Sequence, residues 1–320
     1  MQRPRGNCKS RVAIGLCLLL AGCVSSGGTA GILAEIPTGQ WPEDVVLDAR
    51  SQIIFVADEG NATVTAIDAR RRVVRGTLRL QTRARHLAVG GGRLYAPNEL
   101  SAFVGVYDEE SLAELVRLPV GRNPHGLALD AAAQRLLVGN EAESTAVLVD
   151  TTTLHPLRII PVGAGPGGVA ADLGSGRGFV ASVKEDRVTA LDLRTGEILA
   201  SLPVGAGPTH LAVNSETGMV YVCNTEANSV TVLDGRALQV RATIPVGDYP
   251  FPVAVDETRG RIYVVNNRAA TLSVIAEASL HVVTTRPIPR NVSSLAVDPV
   301  RQLLYMTMKS DNRLAVFPAP

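Results

Sequence analysis

Apolar side chains recur at period two in short runs along the chain, and the runs themselves recur. Val45 and Leu47, Leu87 and Val89, Leu127 and Leu129, Val169 and Ala171, Leu211 and Val213, Val253 and Val255, and Leu295 and Val297 stand at the same two offsets of a repeating unit. Alternation over so few residues predicts a short strand with one buried face. This strand, a, ends on Asp48, Asp130, Asp172, Asn214, Asp256 or Asp298, short polar side chains that bond nearby backbone and cap a turn. The second unit carries Gly90-Gly91-Gly92 there and predicts a tighter hairpin. Strand b follows at Phe55-Val56, Tyr95-Ala96, Leu137-Val138, Phe179-Val180, Tyr221-Val222, Tyr263-Val264 and Tyr305-Met306. Strand c comes next, closed by Asp68, Asp108, Asp150, Asp192 and Asp234 in five of the units. Strand d ends at Pro119, Pro161, Pro203, Pro245 and Pro287, all in one register. Proline cannot donate to a sheet ladder, so d belongs at a sheet edge.

The period sets the architecture. Gly121, Gly163, Gly205 and Gly247 open successive units 42 residues apart, and the seven units begin at 39, 81, 121, 163, 205, 247 and 289. About 40 residues per unit, with strand patterning throughout, is the length of a propeller blade. The prediction is an all-β chain: a seven-bladed β-propeller of four-stranded antiparallel blades. The seventh unit stops at Pro320 without a strand d, while Ile32 to Gly39 matches the register of Arg241 to Gly247. The N-terminal strand is therefore expected to complete the last blade and close the ring. One blade cannot bury both faces alone, so residues 32–320 read as a single domain.

Tyr221-Val222-Cys223-Asn224 and Tyr263-Val264-Val265-Asn266, each followed by a Val-rich strand and a Pro-Val-Gly or Pro-Ile-Pro ending, resemble the YVTN repeat family of β-propellers. The match is degenerate in the other units, as in Phe55-Val56-Ala57-Asp58 and Tyr95-Ala96-Pro97-Asn98. The resemblance implies the propeller fold and leaves the function open. Proteins of this type are similar to surface-layer and periplasmic binding proteins, to the haem-carrying propeller of some nitrite reductases, and to lactonase-like enzymes; fold alone does not choose among them.

The first residues address the chain. Arg3, Arg5, Lys9 and Arg11 precede an apolar run from Val12 to Leu20 that is too short to span a bilayer, which reads as a secretion signal over residues 1–22. It ends in Leu20-Ala21-Gly22-Cys23, which resembles a bacterial lipobox and makes Cys23 the expected lipidation site. Val24 fits sorting to the outer membrane on the periplasmic side, and residues 23–31 read as the lipidated cysteine with a Ser/Gly tether. Cys8 and Cys17 leave with the signal, so Cys223 remains as a lone thiol expected to act as a small hydrophobe.

Thirty-one basic residues against 30 acidic ones, four of the basic ones in the signal, give a mildly acidic domain and argue against nucleic acid as a partner. Arg70, Arg71, Arg72, Arg75, Arg79, Arg83 and Arg85 read as a solvated basic rim. Ligand contacts are expected where the d-to-a connections and b-to-c loops converge on the central channel. Candidates there are Asp44, His86 and His210 at one repeat offset, His125 one residue earlier in its unit, and Glu59, Glu99 and Glu141 at a common b-to-c offset in three successive blades. The three glutamates are expected to form an acidic sector of exposed loop charges. A metal site of three histidines is argued against by position. His86 and His210 belong to blades about 150° apart in the ring, and strict alternation turns His125 to the other strand face. No catalytic residue and no cofactor are assigned, for Cys-x-x-Cys-His and Gly-x-Ser-x-Gly are absent and the glycines of Gly163 to Gly168 serve repeat turns. The expected function is a monomeric, lipid-anchored envelope module that binds a protein, peptide or envelope ligand. The alternative is a lactonase-like enzyme or a propeller carrying noncovalent haem or a divalent metal.

Overall fold

The computed structural model describes residues 31–320, and these form seven sheets of four antiparallel strands each. Within a blade the strands lie in sequence order from a to d, so blade 1 is Pro42–Asp48, Ile53–Asp58, Thr63–Asp68 and Val73–Arg79. The exception is blade 7, built from Val292–Asp298, Leu303–Met308 and Arg313–Pro318 with the N-terminal strand Ala34–Pro37 as its outer member. Ile36 pairs with Leu314 just as Ile244 pairs with Val230 in blade 5, so the ring closes in the register that the repeat predicts.

The core lies between blades. Phe55, Tyr95, Phe179, Tyr221, Tyr263 and Tyr305, each at the same strand b position, are completely buried. Phe55 of blade 1 packs with Leu87 and Leu94 of blade 2, and the closing strand's Ile36 packs with Val45 and Ile54 of blade 1 and with Tyr305 of blade 7. Each such side chain contributes roughly 1.5–3 kcal/mol through burial, and it does so only when the neighbouring blade is present. Cys223 sits among the apolar residues between blades 5 and 6, where burial pushes its thiol far above its ordinary pKa.

The turn chemistry follows the sequence. Asp48 accepts from the backbone N–H groups of Arg50 and Ser51, Asp68 from those of Arg70 and Arg71, and Asp192 from those of Arg194 and Thr195. In blade 2 the a-to-b hairpin pairs Gly90 with Arg93, leaving Gly91 and Gly92 both at positive φ in a two-residue loop. Residues with side chains resist that pair of conformations.

Strand a departs from simple alternation near the axis. In blades 1, 3, 4, 5, 6 and 7 its register shifts between the first paired residue and the strand body, for example between Pro124 and Leu127 and between Pro208 and His210. Such an irregularity inserts residues without a cross-strand partner and re-aims their side chains. It falls where strand a meets the channel.

Candidate functional site

On the face where d-to-a connections and b-to-c loops meet, a bowl of about 630 Å³ opens over the propeller axis. Below it a narrower channel of about 180 Å³ runs between the a strands. Trp41, Tyr249, Phe251 and Lys184 line the bowl, together with His86 and His125. His86, His210 and Asp44 line the channel.

The histidines are gathered, against the positional expectation. The ring centroids of His86 and His125 lie 4.8 Å apart and those of His86 and His210 lie 6.1 Å apart. Two features explain the difference. The register shift in strand a breaks the alternation that would have turned His125 away. Between blades 2 and 5, moreover, the channel positions are Gly126 and Gly168, where the strands approach closely. A Cβ at Gly126 would overlap the Gly167 carbonyl oxygen, and one at Gly168 would stand 2.7 Å from the Thr209 carbonyl oxygen. An angular separation around the ring is thus a short distance at its hub.

These imidazoles are held neutral. Burial, reinforced by His125, His210 and Arg85, holds His86 well below its ordinary value. Burial with the neighbouring His125 brings His210 to about 4, and burial also lowers His125 against the partial support of Glu141. His210 accepts a 3.4 Å hydrogen bond at Nδ1 from the Val253 N–H, which leaves Nε2 as its protonated nitrogen. The Nδ1 of His125 is buried with no hydrogen-bond partner among the described residues. Asp44 is buried too; its carboxylate accepts from Ser294 Oγ at 2.7 Å and from the Leu87 N–H at 2.8 Å. Burial outweighs those bonds and lifts its pKa to about 6. Among the described residues no three His, Cys, Asp or Glu are placed to hold a metal ion.

The glutamates do not form an exposed acidic sector. Glu99 is 4% exposed, and Glu59 is engaged on both sides. Arg83 and Arg85, expected on a solvated rim, instead turn to this face and pair with them. Lys309 Nζ lies 2.5 Å from Glu43 and 3.1 Å from Glu59, Arg85 Nε lies 3.1 Å from Glu59, and Arg83 Nε lies 3.0 Å from Glu99. The chain Glu43, Lys309, Glu59, Arg85, Glu99, Arg83 crosses blades 7, 1 and 2 with three cations against three carboxylates. Against the upward push of burial, Lys309 and Arg85 hold the Glu59 pKa below its ordinary value. Burial wins at Glu99 and raises it, despite Arg85 and Arg83. Glu141 alone of the three matches the expectation of an exposed loop charge, accepting 2.9 Å from Asn123 Nδ2.

Sequence reasoning missed the aromatic part of the bowl. Trp41 and Tyr249 occupy the same repeat offset, two residues into their units, where Asn123, Gly165, Gly207 and Asn291 stand in four other blades. Registering that column would have exposed both. Cys23 and the lipobox lie outside the described residues, so their place in the structure is not part of this site.

A scan against protein-family models finds no match, and neither does a search of the curated proteins. Among solved structures the chain is similar to Kuenenia stuttgartiensis hydrazine synthase, with a TM-score of 0.76 and 18% identity over 87% of this chain and 95% of that one. At that identity the likeness shows the β-propeller fold, and the chain is a seven-bladed β-propeller.

Proposed function

We propose that the chain is a YVTN-type propeller that works as a binding module, tethered to the cell envelope through a lipidated Cys23 and capturing its ligand in the axial bowl. The observation that carries this reading is the bowl itself. Its volume of about 630 Å³ falls within the roughly 300–1,000 Å³ of small-ligand sites, and aromatic walls with a few convergent polar groups are their usual lining. The ring around it is rigid, because every blade's core depends on its neighbours. Residues 1–22 as a secretion signal, 23–31 as the tether and an outer-membrane position facing the periplasm complete the proposal.

Two measurements test it. Mass spectrometry of the purified full-length product should find diacylglycerol on Cys23, and Cys23→Ala should abolish it; an unmodified N-terminus elsewhere would remove the anchor from the reading. For the bowl, Val183→Trp places a large side chain in its wall. This variant should lose the ligands that the wild-type protein takes from an envelope extract, and undiminished capture would place binding elsewhere.

The cofactor-carrying alternative has one observation on its side, the neutral imidazoles His86, His125 and His210 at the hub. As they stand they do not fit a metal ion. A Soret band or a stoichiometric metal in the purified protein would favour that alternative.

A further inference from the structure

The residue two positions into the repeat unit adopts the left-handed backbone conformation in six blades, with φ of 52° at Trp41, 55° at Asn123, 67° at Gly165, 66° at Gly207, 57° at Tyr249 and 61° at Asn291. Glycine and asparagine tolerate this region, whereas bulky side chains are rarely found in it and are disfavoured there. The other large apolar residues at positive φ in this fold are offset by packing, unlike the exposed Gln134 and Gln302 of the a-to-b turns. Leu112, Leu154, Leu238 and Leu280 at the c-to-d turns each pack against a core cluster. Trp41 has no such offset, for it belongs to no core cluster and is 58% exposed. Both aromatics sit in the wall of the bowl. Backbone conformation at these two positions therefore favours residues that the chain does not use, and no core packing accounts for the exposed indole of Trp41 in the bowl wall.

Charge narrows the ligand. The bowl lining carries Glu43 and Glu141 against Arg85, Lys184 and Lys309, and Glu59, Glu99 and Arg83 of the ion-pair chain bring the count to four carboxylates and four cations. Charges so closely matched in number suit an uncharged ligand. The polar groups between the two aromatics are amides and hydroxyls with one side already fixed. Asn291 Nδ2 donates to Ser310 Oγ at 2.9 Å and Asn267 Nδ2 donates to the Val292 carbonyl at 2.7 Å. Each amide then presents an oriented carbonyl oxygen as an acceptor, and Ser310 keeps a hydroxyl proton to give. Oriented acceptors ask for neutral O–H donors, and aromatic rings ask for flat apolar faces beside them. A sugar ring offers both.

We infer that Trp41 and Tyr249 are the aromatic contacts of a neutral oligosaccharide site, with Asn267, Asn291 and Ser310 bonding its hydroxyls. The inference rests on the reading of the bowl as the binding site and names its ligand class. Arg268 stacks on Tyr249, its guanidinium carbon 4.2 Å from the ring centroid, so one face of that ring is already covered and the other is left for the sugar.

Trp41 is the only tryptophan of the chain, so its fluorescence reports directly on the bowl. The full-length protein would be titrated with the tetrasaccharides of N-acetylglucosamine, β-1,4-glucose and α-1,4-glucose, and with an uncharged Pro- and Asn-containing octapeptide. A saturable change with at least one tetrasaccharide is expected, with an affinity unaltered by salt because no counterion is displaced. Calorimetry of Trp41→Asn and Tyr249→Asn should show at least a tenfold loss of that affinity with a melting temperature equal to or above wild type, while Trp41→Phe keeps most of the binding. A melting temperature lowered by both Asn variants would make the aromatics packing residues and overturn the inference. Binding of the peptide and of no sugar would also overturn it while leaving the bowl as a binding site. Failure of every tetrasaccharide would overturn the inference too, and joined with unchanged capture by Val183→Trp it would remove the binding reading as well.

Discussion

Asp58 stands in a column of strand b ends that is Asn98, Asn140, Asn224 and Asn266 in four other blades, and replacing it by asparagine should stabilise the protein. In blades 5 and 6 the amide of this residue donates to two hydroxyls: Asn224 to Ser229 at 3.0 Å and Thr231 at 2.8 Å, Asn266 to Thr271 at 3.0 Å and Ser273 at 2.8 Å. In blade 1 the polarity is reversed, and Asp58 Oδ2 accepts from Thr63 at 3.1 Å and Thr65 at 2.6 Å while Oδ1 is buried without a partner. Burial outweighs these bonds and lifts the carboxyl from 3.8 to about 6. Each pKa unit is worth about 1.4 kcal/mol, so the buried charge costs roughly 3 kcal/mol, and Asp58→Asn should recover about 1–3 kcal/mol at neutral pH once imperfect geometry is allowed for. The pH dependence fixes the cause. Because the folded-state pKa lies above the unfolded one, the native wild type takes up a proton as pH falls through about 6, and the unfolded chain follows only near 3.8. Wild type therefore gains on the variant across that window, and the difference seen at neutral pH should nearly vanish by about pH 4. Other titrating groups are common to both proteins and cancel. Urea unfolding at about pH 7.5, 6 and 4.5 measures the gap. A variant less stable than wild type at neutral pH, or a gain that does not shrink on acidification, would refute the reasoning.

Deleting residues 32–37 should expose strand c of blade 7 along its length and remove Ile36 from the core, lowering the melting temperature sharply and producing concentration-dependent aggregates in light scattering; a monomeric variant of unchanged stability would place ring closure elsewhere. Gly126→Ala forces a methyl group into the Gly167 carbonyl and should cost about 3 kcal/mol in denaturant unfolding, whereas a neutral result would mean that the hub strands separate freely. Glu99→Gln leaves Arg83 and Arg85 with Glu59 as their one shared carboxylate partner. Because burial already outweighs both arginines at Glu99, removing its charge should leave stability at neutral pH unchanged or slightly raised, within about 1 kcal/mol, with no measurable change for Glu141→Gln; a clear loss in urea unfolding would mean that the ion pairs outweigh the burial.

Nearly all of the architecture was legible, because the columns that build it are uniform. Strand a and strand b carry aliphatic or aromatic residues in every unit, and uniformity across seven blades is what inter-blade packing demands. The capping aspartates were equally readable, since a short acceptor after a strand has one local use. Even the closing strand could be placed, because Ile36-Pro37 repeats Ile244-Pro245 with the same partner offset. Arg83 and Arg85 could not, for nothing in a run of arginines says which of them turn toward the axis. Arg75 pairs with Glu110 on the exposed side of the sheet, while Arg85, ten residues later, pairs with Glu59 at the bowl.

At the hub, alternation itself stops being a guide. The position six residues into the unit points into the core in every blade, so the residue before it, by period two, must point away, and the residue before that must point in again. His125 obeys this only up to the register shift between Pro124 and Leu127, where unpaired residues let its ring turn beside that of His86. The columns there hold Asp44, His86, Gly126, Gly168, His210, Pro252 and Ser294 at one offset, and Trp41, Arg83, Asn123, Gly165, Gly207, Tyr249 and Asn291 at another. Packing would have made such columns uniform, and their variety shows that packing does not dictate them. The two kinds of departure differ in consequence. Glycines at 126 and 168 narrow the hub and are required by their neighbours' backbone, whereas Trp41 and Tyr249 sit where their own backbone would prefer glycine or asparagine. A residue that its surroundings demand explains the fold. A residue kept against its own conformational preference, and left exposed in a cavity, points to what the cavity holds.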